Sequence, residues 1–178
     1  MPDNTPLAKR IYDTAHITGD FILRSGVKSH EYFDKYLFEA DPDLLKHIAI
    51  ALVKLVPPGI DALAGLEMGG IPIATMLSQL TGLPVLFVRK KAKDYGTCKI
   101  AEGGQVRGRK LLIVEDVVTS GGAILDAAKA LREEGAELAK VICVIDRQTD
   151  GKATANLAEI DLALIPLFTM SELKKAGA

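Results

Sequence analysis

The sequence has few of the residues that build disulfide scaffolds, metal centres or membrane spans. Tryptophan is absent, and cysteine occurs only twice, at Cys98 and Cys143. Neither cysteine has another Cys or a His at the spacing of a zinc site, so we predict two reduced thiols. No apolar run approaches the ~20 residues of a membrane-spanning helix, and the N-terminus lacks the pattern of a secretory signal. These absences favour a cytoplasmic protein that does not contact membranes.

An excess of charge of one sign is also missing. The chain has 22 Lys and Arg against 23 Asp and Glu, a formal net charge of -1, which gives no general attraction to nucleic acid or acidic membranes. Hydrophobic residues make up 48% and charged residues 25% of the chain, close to the averages for globular proteins. We therefore predict one folded domain over 1–178, with no fused second enzyme, and any anion site must be local.

From residue 60 onwards, short apolar runs alternate with helical stretches. Continuous apolar runs are typical of parallel strands that helices cover on both faces, so we predict an α/β fold with a mainly parallel core sheet over 60–168. The helices should begin near Gly70, Gly121 and Thr154, and the pair Thr169 and Glu172 predicts a capping box for a last helix. The strand candidates are DALAGL, PVLFV, KLLIVE, AKVICVID and DLALIPLF.

The first 40 residues are predicted to form a helix and a small hood beside the sheet. In the stretch 21–39, aromatic and β-branched residues lie on both sides of Ser25-Gly26, which predicts short antiparallel strands. Asp41-Pro42 then opens a further helix, which the Pro-Pro-Gly at 57–59 ends.

The connection 89–110 is unusually long and basic. It contains four glycines, eight basic residues and two acidic ones. Long loops inside compact domains are usually functional lids or disordered segments, so we predict a mobile catalytic loop here. The alternative is a solvated basic loop.

The segment LLIVEDVVTSGGAILDAAKAL joins a buried strand to an amphipathic helix through two carboxylates and a turn of Thr, Ser and Gly. Glycines let a backbone approach an anion, and the start of a helix presents unpaired N–H groups, so Thr119 to Ala123 suit a phosphate. Glu115 and Asp116 would repel a bare phosphate, so the ligand must also offer hydroxyls or bring a divalent cation. Ribose phosphate meets both conditions. The alternative is a turn that only caps the helix beside exposed carboxylates.

Several motifs, taken together, resemble the type I phosphoribosyltransferases, and among them the orotate phosphoribosyltransferases. VEDVVTSGG is similar to the signature that binds phosphoribosyl diphosphate (PRPP), RKKAKDYGT to the mobile catalytic loop, and DRQTDG to the base-binding strand end. FILRSG and EYFD resemble the hood, and GLEMGGIPIA the diphosphate-side loop. The resemblance implies the type I phosphoribosyltransferase fold and transfer of phosphoribosyl from PRPP to orotate, a step of pyrimidine biosynthesis that yields orotidine 5'-monophosphate and diphosphate.

The resemblance also implies roles for individual residues. The basic loop and the acidic motif would supply catalysis and PRPP binding, and the hood and the DR pair would hold orotate. The implied catalytic residues are Arg89, Lys90, Lys93 and Asp116; the PRPP-binding residues are Arg89, Lys90, Lys93, Tyr95, Glu115, Asp116, Val117, Val118, Thr119, Ser120, Gly121, Gly122 and Ala123; and the orotate-binding residues are Arg24, Tyr32, Phe33, Thr119 and Arg147.

Arg147 suits orotate chemically, because a guanidinium can bind a carboxylate through two parallel hydrogen bonds. Its alternative role is a surface ion pair with Asp146, and the two hood aromatics could instead belong to the core. Two positions depart from the family pattern. Tyr95 stands where many members have His, and Arg24 stands where Lys is common.

The resemblance implies that Mg²⁺ enters with PRPP rather than through protein ligands. It also implies a homodimer in which the loop 89–110 acts on the partner's site, with no nucleic acid or membrane partner. Two other functions remain open, namely transfer to a different base and a PRPP-sensing regulator that binds RNA or protein. The chain outside the basic loop is net acidic, which disfavours RNA binding.

Overall fold

The structure of the protein is a computed structural model that describes residues 5–22, 26–91 and 99–178. None of the helices in these ranges is long and apolar enough to cross a membrane. In chain order, the elements are α1 (Thr5–Ala15), β1 (His16–Ile22), β2 (Lys28–Phe33), α2 (Lys35–Ala40), α3 (Pro42–Leu52), a 3₁₀ turn (Val53–Leu55), β3 (Ala62–Leu66), α4 (Gly70–Thr81), β4 (Val85–Val88), β5 (Ala101–Glu102), β6 (Lys110–Val118), α5 (Gly122–Glu133), β7 (Glu137–Asp146), α6 (Lys152–Ala158), β8 (Leu164–Thr169) and α7 (Met170–Gly177).

The main sheet has the strand order β5-β4-β3-β6-β7-β8. All of its neighbouring strands pair in parallel except β5, which pairs antiparallel with β4. The chain first winds from β3 to β4 on one side, then returns to place β6 on the other side of β3. Open α/β sheets bind ligands at the carboxyl ends of the strands where this reversal occurs. The predicted α/β fold is confirmed, and the position between β3 and β6 is where a site is expected.

Helices cover both faces of the sheet, as the continuous apolar runs predicted. Alternate residues of β6 point to opposite faces, so Leu111 and Ile113 pack with α5 and α6, while Leu112 and Val114 pack with α1, α3, α4 and α7. All four side chains are fully buried. Burial of each such aliphatic side chain stabilises the fold by roughly 1.5–3 kcal/mol. The sheet therefore provides a rigid base for the loops at its edge.

Two predicted helix starts are confirmed by their caps. The Asp41 side chain accepts hydrogen bonds from the backbone N–H groups of Asp43 at 3.0 Å and Leu44 at 2.9 Å, so α3 begins there. Thr169 and Glu172 form the predicted capping box at the start of α7.

The predicted short antiparallel strands of the hood are confirmed, but the last residues of the stretch 21–39 form a helix. β1 and β2 do pair antiparallel and form the hood, but β2 ends at Phe33 and the chain continues as α2. The Asp34 side chain accepts a hydrogen bond from the backbone N–H of Tyr36 at 3.1 Å, which caps the helix. Phe38 then lies fully buried in the core. The packing of Phe38 in the core and the Asp34 cap therefore stabilise a helix in this segment, although its composition favours a strand.

The long basic connection is partly built into the sheet. β5 pairs with β4, so that Val88 lies opposite Ala101, and Ile100 and Val106 are buried in the core. Residues 92–98 lie outside the described ranges. Mobility of the loop 89–110 stays a prediction, and its segment after residue 99 packs against the sheet.

Candidate active site

Three neighbouring strands end at one edge of the sheet and bring the candidate site together. Glu67 and Gly69 follow β3, Thr119 follows β6, and Arg147 follows β7. The backbone N–H of Arg147 donates to the Val118 carbonyl oxygen at 2.8 Å, which holds the ends of β6 and β7 together. α4 and α5 both begin at this edge, so their N-terminal N–H groups and partial positive charges face the same region.

The turn between β6 and α5 presents its backbone to solvent. Thr119 and Ser120 are exposed, and α5 starts after Gly121, which has a positive φ of 73° and no side-chain cap. A Cβ on Gly121 would lie 2.8 Å from the Ala153 Cβ, so only glycine fits. Within the described part of the chain, no side chain of the turn forms a capping hydrogen bond to α5. The first N–H groups of α5 are left for an external acceptor.

The carboxylates of the motif are buried rather than exposed at a strand end. Asp116 is 1% exposed and Glu115 is 9% exposed. The Lys35 ammonium donates to Asp116 Oδ2, and the backbone N–H of Val117 donates to Asp116 Oδ1. Glu115 Oε1 accepts from the backbone N–H of Asp116 at 3.0 Å. Glu39, one turn after Lys35 on α2, is 8% exposed and completes a cluster of three carboxyls and one cation.

The turn after β3 fits over this cluster only because it contains glycines. A Cβ on Gly69 would lie 1.5 Å from Asp116 Oδ2 and 2.9 Å from Glu39 Oε1. A Cβ on Gly70 would lie 2.3 Å from the Val114 carbonyl oxygen. Both distances are below those of real carbon contacts, so the glycines allow the β3 turn, α2 and the end of β6 to meet.

The buried carboxyls divide into neutral and ionised groups. Burial, together with the adjacent Asp116, raises the pKa of Glu39 to about 9 and that of Glu115 to about 8. Burial would also raise the pKa of Asp116, but hydrogen bonds from Glu115 and Lys35 outweigh it and lower that pKa. The pKa of Lys35 is raised, because its pairing with Asp116 outweighs its own burial. The site therefore favours the charged forms of Asp116 and Lys35 and the neutral forms of Glu39 and Glu115.

Two of the predicted loop residues lie beside the β3 turn. The backbone N–H of Lys90 donates to Glu67 Oε1 at 2.5 Å, and Arg89 Nε lies 3.8 Å from Glu102 Oε1 on β5. The start of the basic loop is therefore placed next to the site. The other predicted residues of this set, Lys93 and Tyr95, lie outside the described ranges, as does Arg24 of the hood.

A cavity of about 230 Å³ adjoins the carboxylate cluster on the hood side. Arg147 is exposed in it, with its guanidinium carbon 5.7 Å from the centre of the Phe33 ring. The alternative ion pair with Asp146 is not formed, since Asp146 accepts hydrogen bonds from Gln148 at 2.9 and 3.0 Å. The cavity is smaller than typical ~300–1,000 Å³ ligand pockets and suits one substituted ring. Its lining residues are Tyr32, Phe33, Asp34, Lys35, Tyr36, Val117, Thr119 and Arg147.

The site region matches a known family. Residues 39–160 match the model of the phosphoribosyl transferase domain. The orotate phosphoribosyltransferase of a Nocardioides species is 54% identical over 181 residues that span the whole of both chains. The chain belongs to the orotate phosphoribosyltransferase family.

Solved structures of the family share the fold. Orotate phosphoribosyltransferase from Aeropyrum pernix has a TM-score of 0.81 and 29% identity, covering 96% of this chain and 98% of that chain. The Mycobacterium tuberculosis enzyme, solved with inorganic phosphate, has a TM-score of 0.85 and 25% identity, covering 98% of this chain and 99% of its own. Membership of the family therefore rests on sequence along the whole chain and on the fold.

Sequence reasoning missed two residues of the site, Lys35 and Glu39. Both lie on α2, which the sequence had been expected to form as a strand. On a helix, residues four apart share a face, so recognition of the Asp34 cap would have placed both side chains together. Nothing in the sequence indicates that this face meets Asp116, because the two segments are 81 residues apart.

Proposed function

We propose that the protein transfers the phosphoribosyl group of PRPP to orotate, which yields orotidine 5'-monophosphate and diphosphate. The observation that carries this proposal is the meeting of three unlike subsites at one sheet edge. The start of α5 suits a phosphate, the Glu115 and Asp116 pair suits ribose hydroxyls, and the cavity at Arg147 suits a ring with a carboxylate.

The buried acidic pair would act on the ribose. Displacement at the anomeric carbon develops positive charge on the sugar, and Asp116 holds a negative charge at an almost fully buried position. Its carboxylate can accept a hydrogen bond from a ribose hydroxyl, and the protonated Glu115 can donate one. Both groups thereby orient the sugar and favour charge where it develops.

The basic loop would act on the leaving diphosphate. Arg89 and Lys90 stand at its start beside the β3 turn, and the family resemblance adds Lys93 and Tyr95. Cations that arrive when the loop closes would stabilise the charge that builds on the diphosphate and exclude water that hydrolyses PRPP.

A single substitution tests that role. Lys93→Ala should lower turnover by roughly 10²-fold, with a much smaller effect on PRPP affinity, because the cation is needed where charge develops. Lys91→Ala serves as a control in the same loop. An unchanged turnover number for Lys93→Ala, measured under saturating substrates, would remove this residue from the mechanism.

Mg²⁺ would enter this site with PRPP, as the family resemblance implies. In the parts of the chain that the structure describes, no group of three or more His, Cys, Asp or Glu side chains is arranged to hold a metal. Phosphate oxygens are ligands that Mg²⁺ prefers, so the ion would be held by the diphosphate of the substrate. Such an ion would supply charge neutralisation at the leaving group.

The homodimer comes from the sequence resemblance and the cytoplasmic location from the composition of the chain, and both stay proposals. If the loop acts in the partner's site, mixing Lys93→Ala and Asp116→Asn chains should give dimers with one intact site. Refolding the two impaired variants together should then restore activity, while each variant refolded alone keeps only its reduced activity. No recovery in a mixture shown to contain mixed dimers would assign the loop to its own subunit.

The reaction itself is tested by the fall in orotate absorbance when the protein is mixed with orotate, PRPP and Mg²⁺. A loss that requires all three components, and that uracil does not replace, supports orotate transfer. Consumption of another base would favour the alternative of a different base specificity. PRPP binding without consumption of any base would favour the regulator, whose RNA binding a gel shift would detect.

A further inference from the structure

Lys35 lies on the boundary between the carboxylate cluster and the base cavity. Its ammonium pairs with Asp116 Oδ2, and the same residue lines the cavity of about 230 Å³ that contains Arg147. The Lys35 side chain is 32% exposed, so it is not locked within the core. The reaction proposed above gives this cation no role.

The ion pair occupies the oxygen that a ribose hydroxyl needs. Asp116 is 1% exposed, and its two oxygens are both engaged, Oδ1 by the backbone N–H of Val117 and Oδ2 by Lys35. The backbone donor belongs to β6 and cannot leave without breaking the strand. We expect a hydroxyl to reach Asp116 by replacing the Lys35 ammonium at Oδ2, because Lys35 is the partner of Asp116 that also lines the cavity. The partly exposed Lys35 side chain, on a flexible four-carbon stem, is the partner that can move.

The released ammonium has one neighbouring place to go. Lys35 is the first residue of α2 and already forms part of the cavity wall, and its Nζ lies 5.1 Å from the centre of the Tyr36 ring. The other charged side chains that line this cavity are Arg147 and Asp34, and Asp34 is engaged as the cap of α2. An ammonium in the cavity would stand beside Arg147, so that two cations would face the single carboxylate of Asp34. A carboxylate on the ring that binds there would balance this extra positive charge.

We propose that Lys35 couples the two halves of the site. A ribose that binds at Asp116 displaces the Lys35 ammonium into the base cavity, where it becomes a second cation for the carboxylate of orotate. This inference rests on the proposed function, since it assigns the ribose to Asp116 and the base to the cavity. Lys35 thereby acts as a specificity residue that favours an acidic pyrimidine only after the ribose has bound.

Calorimetric titration of orotate tests the coupling without any reaction. Ribose 5-phosphate is the probe, because it has the phosphate and hydroxyls but no leaving group. Saturating ribose 5-phosphate should tighten orotate binding by roughly five-fold or more, within the usual range of coupling between sites. Inorganic phosphate, which can fill the turn but has no hydroxyls, should leave orotate affinity unchanged. Uracil, which has no carboxylate, should show no tightening with either probe.

Variants assign the coupling to Lys35. Lys35→Met should abolish the tightening, and Lys35→Arg should restore part of it because the charge is kept. Lys46→Met, at an exposed lysine of α3, is the matched control and should behave as the parent protein. Equal tightening in Lys35→Met and the parent protein would overturn the proposal, and so would equal tightening for uracil and orotate.

A labelling measurement on the unmodified protein covers the case in which Lys35→Met does not fold. Reductive methylation of Lys35, followed by peptide mass spectrometry with Lys46 as internal reference, should increase when ribose 5-phosphate is present, because the amine leaves its ion pair. Unchanged or reduced labelling of Lys35 overturns the proposal. Orotate consumption with PRPP is measured separately, so failure of the coupling is distinguishable from failure of the proposed function.

Discussion

The two halves of the site that β6 supplies differ in how ready they are to receive a ligand. The turn at Thr119 and Ser120 is exposed and leads to a helix start without a side-chain cap. The carboxylates of Glu115 and Asp116, a few residues earlier, are buried and already have partners. The first half can accept an anion without rearrangement, whereas the second must exchange an internal partner for one on the ligand. Phosphate binding and ribose binding should therefore respond to different changes in the protein.

We expect the largest effect from Gly69→Ala, which changes the closed half of the site, namely the buried carboxylates of Glu115 and Asp116. The new methyl would lie 1.5 Å from Asp116 Oδ2, so the carboxylate or the β3 turn must shift. A displacement of about 1 Å in a catalytic group can cost roughly 10²-fold, so we expect at least that loss of turnover. Inorganic phosphate affinity, measured by calorimetry, should stay near that of the parent protein because the turn after β6 is untouched. Parent-like turnover would mean that the cluster tolerates movement.

We expect a smaller effect from Gly122→Ala, which changes the open half of the site, namely the turn at Thr119 and Ser120 and the start of α5. The added Cβ has nothing nearer than Ser120 Oγ at 3.8 Å, so the fold has space for it. A methyl at the helix start hinders close approach of an anion to the backbone, and we expect roughly ten-fold weaker PRPP binding. Thermal melting should show a stability unchanged or raised by less than about 1 kcal/mol, since alanine favours helix over glycine. Unchanged PRPP affinity would place the phosphate elsewhere.

Glu39→Gln should show its effect mainly as a pH dependence of stability. The pKa of Glu39 rises from an ordinary value of 4.5 to about 9 in the folded protein, so its contribution is complete below pH 4.5 and is lost as pH rises toward 9. Glutamine stays neutral and loses nothing over that window. We therefore expect the variant to gain unfolding free energy relative to the parent protein, with a gain that grows as pH rises from 5 to 8.

Denaturant unfolding at pH 5 and pH 8 measures this difference. Glu31→Gln, at an exposed carboxyl on the hood, is the control and should not reproduce the gain at the higher pH. An advantage of Glu39→Gln that is the same at both pH values would show that Glu39 is ionised in the folded protein.

The open half could be predicted from the sequence because all of its parts are adjacent in the chain. The end of the strand, the turn and the helix start occur within one segment, and each follows from a local preference of its residues. The closed half depends on Lys35 and Glu39, whose position relative to Asp116 is set by the packing of α2 against the core. Phe38 and the Asp34 cap decide that this segment is helical, although its composition favours a strand. Long-range contacts of this kind have no signature in a single sequence.

The segment around β5 was also not predictable from the sequence, because here a segment that looks like a loop joins the sheet. Residues after position 99 contain glycines and charges that indicate a loop, yet Ile100 and Val106 bury their side chains against the sheet. Two apolar residues among many polar ones give too weak a period to predict a strand. The segment is a strand because its backbone pairs with β4 at the edge of the sheet.

The contact between Lys35 and Asp116 also has a consequence for folding. It joins segments 81 residues apart, and loop-closure entropy delays such contacts relative to local helices and turns. The turn after β6 is local and can form early, while the carboxylate cluster needs α2, the β3 turn and β6 to be in place. We therefore expect a refolding chain to regain helical signal before it regains catalysis, so that activity reports on the finished fold.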